Sequence, residues 1–410
     1  MKVLFLSQIV PYPPHGGVLQ RGYNLIRELG REAQVHLLAF VHPDVLPTPA
    51  ALEESRKALG AFCEKVEYFP LWPKASKAHQ ALGLAMSAVS SQPFSVIAHR
   101  SAAYQRRIDT ALAATPFDIV HADTVALSQF VRPDVRVPSV LTHHNIESML
   151  MERRAKVEKG WLARRFLDRE AAKLRLYEAA ESPRFDVNVV VSAPDGEALA
   201  EIAPGLRTAV VPNGVDVDYF SPQPDRETPA LVYTGGMNMF ANRDAVMSFC
   251  AEVWPLITAS VPDVTFFAVG QDPPPELRAL SARDNRIVVT GFVDDIRPYV
   301  SKAAVYVVPL RVGGGTRLKV LDAMAMGKAL VSTSIGCEGI AVRPDEHLVI
   351  GDTPEAMAAA TIALLKDPVR RRALGSAARG LVEQRYAWRV VGRQLLDAYQ
   401  EATTRQRRAS

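Results

Sequence analysis

Residues 311–333 read RVGGGTRLKVLDAMAMGKALVST: three consecutive glycines, then an arginine, a lysine and an aspartate within a few positions. Glycines remove side chains where a ligand must approach backbone. A helix opening after such a turn presents free N–H groups and the positive end of its dipole. That pattern suits a phosphate. Arg317 and Lys319 add charge in the first turn, where a guanidinium grips two oxygens and an ammonium supplies a point charge. Residues two apart on a helix point to different sides, so both serve one anion only by reaching around the helix's open end. Lys319 is the better placed. Asp322, one turn later, is an acceptor for a ribose diol. The competing reading is an ordinary surface pair of Lys319 with Asp322 beside a tight turn.

A turn of this kind has to be delivered by a strand and backed by a helix, and the chain supplies both repeatedly. Short β-branched and apolar runs recur, each followed by a helix-like segment: KVLFLS (2–7), QVHLLAF (34–40), FDIVHA (117–122), SVLTHH (139–144) and VNVVVS (187–192). Such runs predict parallel strands buried on both faces and joined by helical crossovers. A second series starts at TAVVPNGVD (208–216) and continues through ALVYTGG (230–236), VTFFAVG (264–270), RIVVTGFV (286–293), AVYVVPL (304–310) and ALVST (329–333). The fold class is therefore α/β, with doubly wound parallel-sheet domains at 1–207 and 208–385 and a last segment at 386–410. The stretch PNGVDVDYFSPQPDRETP (212–229) marks the connection. Open α/β sheets bind ligands beyond the carboxyl ends of their strands, so the expected site lies in a crevice between the domains. The last segment reads as an amphipathic helix, with Trp388, Val391, Leu395, Leu396 and Tyr399 at helical spacing and a basic end.

With 410 residues, 48% of them hydrophobic, and a mean hydropathy near zero, the chain has enough apolar surface for two cores. Its 48 basic and 44 acidic residues leave a formal charge of +4, too small a bias to indicate nucleic-acid binding. Cys63, Cys250 and Cys337 lie far apart and offer neither a metal-ligand spacing nor a disulfide framework, which fits a reducing cytoplasm. The N-terminal MKVLFLSQIVPYPPHGG lacks a signal-peptide cleavage pattern, and no stretch approaches the ~18 uninterrupted apolar residues of a spanning helix. DVD at 216–218 reads as part of a turn, since a hard divalent ion takes several convergent oxygen ligands.

Taken together and in this order, four segments resemble the retaining glycosyltransferases of the GT-B fold, family 4: PYPPHGG, THHNIES, VVPNGVD and GFVDDIRPYVSKAAVYVVPLRVGGGTRLKVLDAMAMGKALVST. The resemblance spans nearly the whole chain. It implies two Rossmann-like domains facing a central cleft, the first for an acceptor and the second for a nucleotide sugar, with the last helix crossing back to the first domain. It also implies an enzyme that moves a hexosyl or related sugar from a nucleoside diphosphate to a glycan, lipid-linked or small-molecule acceptor, with retention of anomeric configuration. The nucleotide sugar is a substrate, and neither a cofactor nor a metal is implied. By the same resemblance, Gly16 and Gly17 approach the donor phosphates and His144 faces the transferred sugar. Gly235 and Gly236 lie on the donor side, backbone around Gly291, Phe292 and Val293 holds the nucleobase, Gly314, Gly315 and Thr316 form the phosphate turn, and Asp322 binds the ribose. His15 and His121 are expected on the acceptor side.

The chain departs from the family pattern in two places. A pair of glutamates eight positions apart is common in the family, whereas here Gly314 holds the first position and Asp322 the second. The Arg and Lys usual after the first strand of the second domain are missing from YTGGMNMFANRDAV, whose only cation is Arg243. Arg317 and Lys319 are therefore expected to neutralise the diphosphate. Sugar transfer makes a cation-like anomeric carbon while a dianionic diphosphate leaves, and fixed cations and amides stabilise that developing negative charge. The leaving phosphate would help to take the acceptor's proton on the same face, which leaves His144 to orient the sugar.

The stretch ERRAKVEKGWLARRFLDREAAKLRLYEAA (152–180) has the pattern of a basic amphipathic helix. It reads either as a surface for anionic lipid at the inner face of the cytoplasmic membrane or as a solvated face laced with pairs such as Glu170 with Lys173. Two alternatives to transfer stay open: a sugar-nucleotide epimerase of the same architecture, and a degenerate protein that binds a nucleotide sugar or a partner without turnover. A dinucleotide oxidoreductase is disfavoured, because neither domain has a glycine fingerprint followed by a suitably spaced ribose acid.

Overall fold

Strands β1 (Lys2–Ser7), β2 (Gln34–Val41), β3 (Lys65–Pro70), β4 (Ile119–Ala122), β5 (Ser139–His143), β6 (Val187–Val190) and β7 (Thr208–Val210) form a parallel sheet in the order β3-β2-β1-β4-β5-β6-β7. A second parallel sheet, in the order β10-β9-β8-β11-β12-β13, joins β8 (Thr228–Thr234), β9 (Thr265–Val269), β10 (Ile287–Gly291), β11 (Ala303–Val308), β12 (Ala329–Ser332) and β13 (Val349–Ile350). The computed structural model describes residues 1–74, 77–224, 227–312 and 317–409. Central strands are buried on both faces, as their unbroken apolar runs require: Val3 to Leu6 of β1 and all six residues of β11 are closed off from solvent.

The first unit holds Met1–Pro212 together with the chain from Val391 onward, and the second holds Asn213–Val390. This moves the expected boundary at 207/208. Thr208–Val210 pairs with Asn188–Val190 of β6 and so closes the first sheet rather than opening the second. The final helix, Trp388–Ala409, starts in the second unit and from Val391 belongs to the first, where Val391, Leu395, Leu396 and Tyr399 are buried. The expected separate segment at 386–410 is thus shared between the two units.

Strand order reverses between β1 and β4 in the first sheet and between β8 and β11 in the second. Crossovers leave on opposite faces at such a point, which opens a crevice at the carboxyl ends of the two strands. The loops after β1, β4 and β5, and those after β8 and β11, carry most of the candidate residues.

The basic stretch at 152–180 is two helices, Glu147–Val157 and Trp161–Glu181, interrupted at Glu158–Gly160. Glu170 and Lys173 do pair, at 2.6 Å, but inside the unit: they are 4% and 8% exposed and bind Ser87. Asp216 Oδ1 accepts from the backbone of Asp218 and Tyr219, which accounts for DVD as a turn. Among the described residues, no helix is long and apolar enough to cross a membrane.

Candidate functional site

In the second unit the site grows from the carboxyl end of β8. Tyr233 is buried within the strand, and Gly235 and Gly236 follow it. Gly270, after β9, presses against this turn so closely that a Cβ there would stand 2.0 Å from Gly235 O. The next helix, Phe240–Ser248, brings Asn242 back over the turn, where Asn242 Nδ2 donates to Gly236 O at 2.8 Å. Lys319 arrives from the helix Leu318–Ala325, which follows β11. Its Nζ donates to Asn242 Oδ1 at 2.7 Å and to Tyr233 OH at 2.8 Å, and it lies 4.3 Å from the Tyr233 ring centroid. A Cβ on Gly235 would meet that ammonium at 2.5 Å, so the glycine makes the room that the lysine occupies.

Burial lowers the Lys319 ammonium to about 7, with the charge of Arg317 acting in the same direction and Asp322 against it. Asp322, on the same helix, is pushed up to about 8 by burial. Its Oδ1 is closed off from solvent and has no hydrogen-bond partner among the described residues. An acceptor held in this way suits a hydroxyl donor. Tyr233 stays far above its ordinary range through burial, so its hydroxyl keeps the proton and donates to Asn242 Oδ1 at 2.8 Å. Arg317 stands at the N-cap position, before the helix proper, with no side-chain cap bond on the N–H groups that follow. The expected reach around a shared helix end is unnecessary, because only Lys319 is on the helix.

Gly291, at positive φ, closes β10, and Phe292 beyond it is 71% exposed, with Val293 partly buried. Gly314, Gly315 and Thr316 lie outside the described residues.

In the first unit, Gly16 and Gly17 open the helix Gly17–Leu29 after β1. A Cβ on either would touch nothing within 4 Å, so this backbone is bare, and His15 beside it is exposed. The same helix carries a buried charge that the sequence reading missed. Arg21, 1% exposed, donates to Val211 O at 2.8 Å and Pro212 O at 2.7 Å, and burial lowers it to about 10 against the pull of Asp123. Asp123, also 1% exposed, stands just past the end of β4, its N–H bonded to Leu6 O of β1. Its Oδ1 is 3.3 Å from His144 Nε2, a close approach without an aligned hydrogen bond. His144 follows directly after β5.

His121 does not open to an acceptor. It is 1% exposed, packs on Phe5, and has its ring nitrogens 2.5 Å from Tyr399 OH and 2.7 Å from Thr142 Oγ1. It lies inside β4, under the returning C-terminal helix, and burial keeps it neutral by lowering it to about 3. The acid two residues on, at the strand's end, is the one that reaches the candidate site.

Residues 15–219 match the family described as Glycosyltransferase Family 4, and residues 228–367 match Glycosyl transferases group 1. The GDP-mannose-dependent monoacylated alpha-(1-6)-phosphatidylinositol monomannoside mannosyltransferase of Corynebacterium glutamicum is 24% identical over 214 residues, 46% of this chain and 55% of the relative. The chain thus matches about half of that relative's length. Sucrose-phosphate synthase from Thermosynechococcus elongatus is 19% identical, with 99% of this chain and 100% of that one covered at a TM-score of 0.69. Anabaena Alr3699/HepE, solved in complex with UDP, is 16% identical, with 97% and 99% covered at a TM-score of 0.64. At these identities the two structures establish the fold alone: two Rossmann-like parallel-sheet domains.

Proposed function

The chain belongs to glycosyltransferase family 4, and from that premise we propose that it transfers a hexosyl group from a nucleoside diphosphate sugar to an acceptor hydroxyl. The anomeric configuration is retained, and fixed side chains rather than a metal ion meet the leaving diphosphate. The observation that carries this reading is the seat of Lys319: its ammonium sits in the space left by Gly235, held by Tyr233 and Asn242 at the switch point of the second sheet. That position supplies the cation missing from YTGGMNMFANRDAV. Asp322 offers its unpartnered oxygen to the ribose, Phe292 and its neighbours flank the base, and Arg317 adds to the positive field. His144, beside Asp123, orients the transferred sugar. As the glycosidic bond breaks, negative charge grows on the diphosphate, and a preformed cation stabilises it without reorganisation.

The test is a panel of UDP-, GDP-, ADP- and dTDP-sugars, scored for thermal stabilisation and for slow hydrolysis. It spans the GDP-mannose named for the Corynebacterium relative and the UDP bound to the Anabaena protein. Stabilisation by one nucleotide class, lost in Lys319→Ala, with hydrolysis lost in His144→Ala, supports transfer. Binding without hydrolysis or transfer would leave a nucleotide-sugar-binding protein.

The reading includes a peripheral contact with anionic lipid, where a lipid-linked acceptor would be met. Trp161 and Leu162, 73% and 65% exposed, adjoin the exposed Arg164 and Arg165 on one helix. Sedimentation with phosphatidylglycerol vesicles but not with phosphatidylcholine vesicles, lost in Trp161→Ser, supports it; equal sedimentation with both rejects it.

A further inference from the structure

The chain is anchored on both sides of His144. Before it, His143 Nε2 lies 3.1 Å from Asn188 Oδ1 on β6, and Asn188 Nδ2 donates to Ser182 O at 3.0 Å. After it, the helix Glu147–Val157 opens from Ile146, whose side chain has no atom able to cap the first-turn N–H groups. The cap arrives from the next helix. Glu178, with no exposed surface, accepts through Oε1 from Glu147 N at 2.7 Å and Ser148 N at 3.4 Å, and through Oε2 from Ser148 Oγ at 2.5 Å.

A local Ser, Asp or Asn at the cap position would satisfy the same N–H groups from within the helix's own first turn. A buried carboxylate is a costlier acceptor: burial pushes Glu178 up to about 7, with the three donors working against the rise. What it adds is a tie between two helices at the root of the loop that carries His144.

We propose that Glu178 is a positioning residue: by capping the helix that begins at Glu147, it fixes the loop that aims His144. The role given to His144 rests on the transferase reading above; the cap itself does not.

The test compares Glu178→Met, which removes the acceptor but fills the space, with Glu178→Gln, which keeps an oxygen toward the two backbone N–H groups. In the full chain, Glu178→Met lowers kcat by about tenfold or more at unchanged donor KM, the scale of a small misplacement of a reacting group. Glu178→Gln restores most of it. The His144 imidazole resonance, assigned with His144→Gln, shifts in Glu178→Met and returns in Glu178→Gln. Wild-type kcat with an unmoved resonance in Glu178→Met overturns the proposal. So does an activity loss that merely tracks the folded fraction while the resonance of folded molecules stays in place. If Glu178→Met does not fold, Ser148→Ala, which removes the 2.5 Å bond alone, takes its place with the same readouts. If the wild type transfers no sugar from any donor, the proposed function fails, and the resonance still decides the case for Glu178.

Discussion

Lys319 Nζ stands 2.7 Å from Asn242 Oδ1, and the helices that carry the two residues leave adjacent strands, β11 and β8. The lysine therefore crosses the switch point of its sheet to reach the Gly235–Gly236 turn. Asn242→Asp would keep the contact while cancelling one positive charge at the turn. Binding of the best-stabilising nucleoside diphosphate should weaken by about tenfold or more, the scale of one charge-assisted hydrogen bond at ~1.5–3 kcal/mol. Isothermal titration calorimetry measures this directly. Unchanged affinity would mean that the lysine does not meet the diphosphate.

The same lysine predicts a pH dependence. Burial lowers its ammonium to about 7, and an anionic ligand recruits the charged form. Binding then takes up a proton wherever the free lysine is neutral, so affinity is greatest below about pH 7 and falls above it, by up to about tenfold per unit. Asp322, pushed up to about 8, gains negative charge over an overlapping range and acts in the same direction. Titrations in buffers from about pH 6 to about pH 9 should show this loss in the wild type and a flatter curve in Asn242→Asp, whose carboxylate keeps the lysine charged. A flat wild-type curve would mean that the ammonium stays charged throughout.

The strands that can be read in the sequence are those with unbroken apolar runs, the partly exposed edge strand β10 among them. β1 coincides with KVLFLS, and β5, β9 and β12 lie within their apolar runs. β3 escaped because it is an edge strand, partly exposed along its length, with Lys65 and Glu67 among its residues; charged edges are how sheets avoid further pairing. β13, with two residues, has no period to detect. β7 reads as part of the second series because TAVV runs straight into PNGVD, and only its pairing with β6 shows where it belongs. At the site, Lys319 and Asp322 were legible from the turn before them. Tyr233 and Asn242 were not, since their role depends on two helices converging. Asp123 carries a signal, an acid directly after a buried strand, but a weaker one than the histidine two residues before it. The burial of His121 under Tyr399 is a product of the helix return.

That return makes a stability prediction. Tyr399→Phe leaves a buried ring nitrogen of His121 without its partner at 2.5 Å. The expected cost is about 1–3 kcal/mol, seen as a lower melting temperature, with donor KM unchanged. His121 is lowered from 6.5 to about 3, so between those values the folded chain binds fewer protons than the unfolded one. Wild-type stability from this group is full above pH 6.5 and is lost as pH falls through that window. A shifted donor KM in Tyr399→Phe would instead place His121 among the binding residues.

Asp123 sets up the sharpest separation of roles, because its carboxylate faces two groups. His144 Nε2 is 3.3 Å away, and the buried Arg21 is held charged partly by it. In Asp123→Asn the ring loses the negative charge beside its Nε2, and kcat should fall with donor KM nearly unchanged. The charge of Asp123 also favours the charged form of the buried Arg21, so its loss should lower the melting temperature as well. Arg21→Met should lower stability and leave kcat close to wild type if Asp123 acts on His144 alone. The double variant decides between a shared and a separate role. Should Arg21→Met itself slow kcat, a double variant no slower than Asp123→Asn alone would show that Arg21 acts through Asp123, whereas effects that add would give Arg21 a part of its own. An Asp123→Asn enzyme with wild-type kcat would leave His144 acting without its carboxylate.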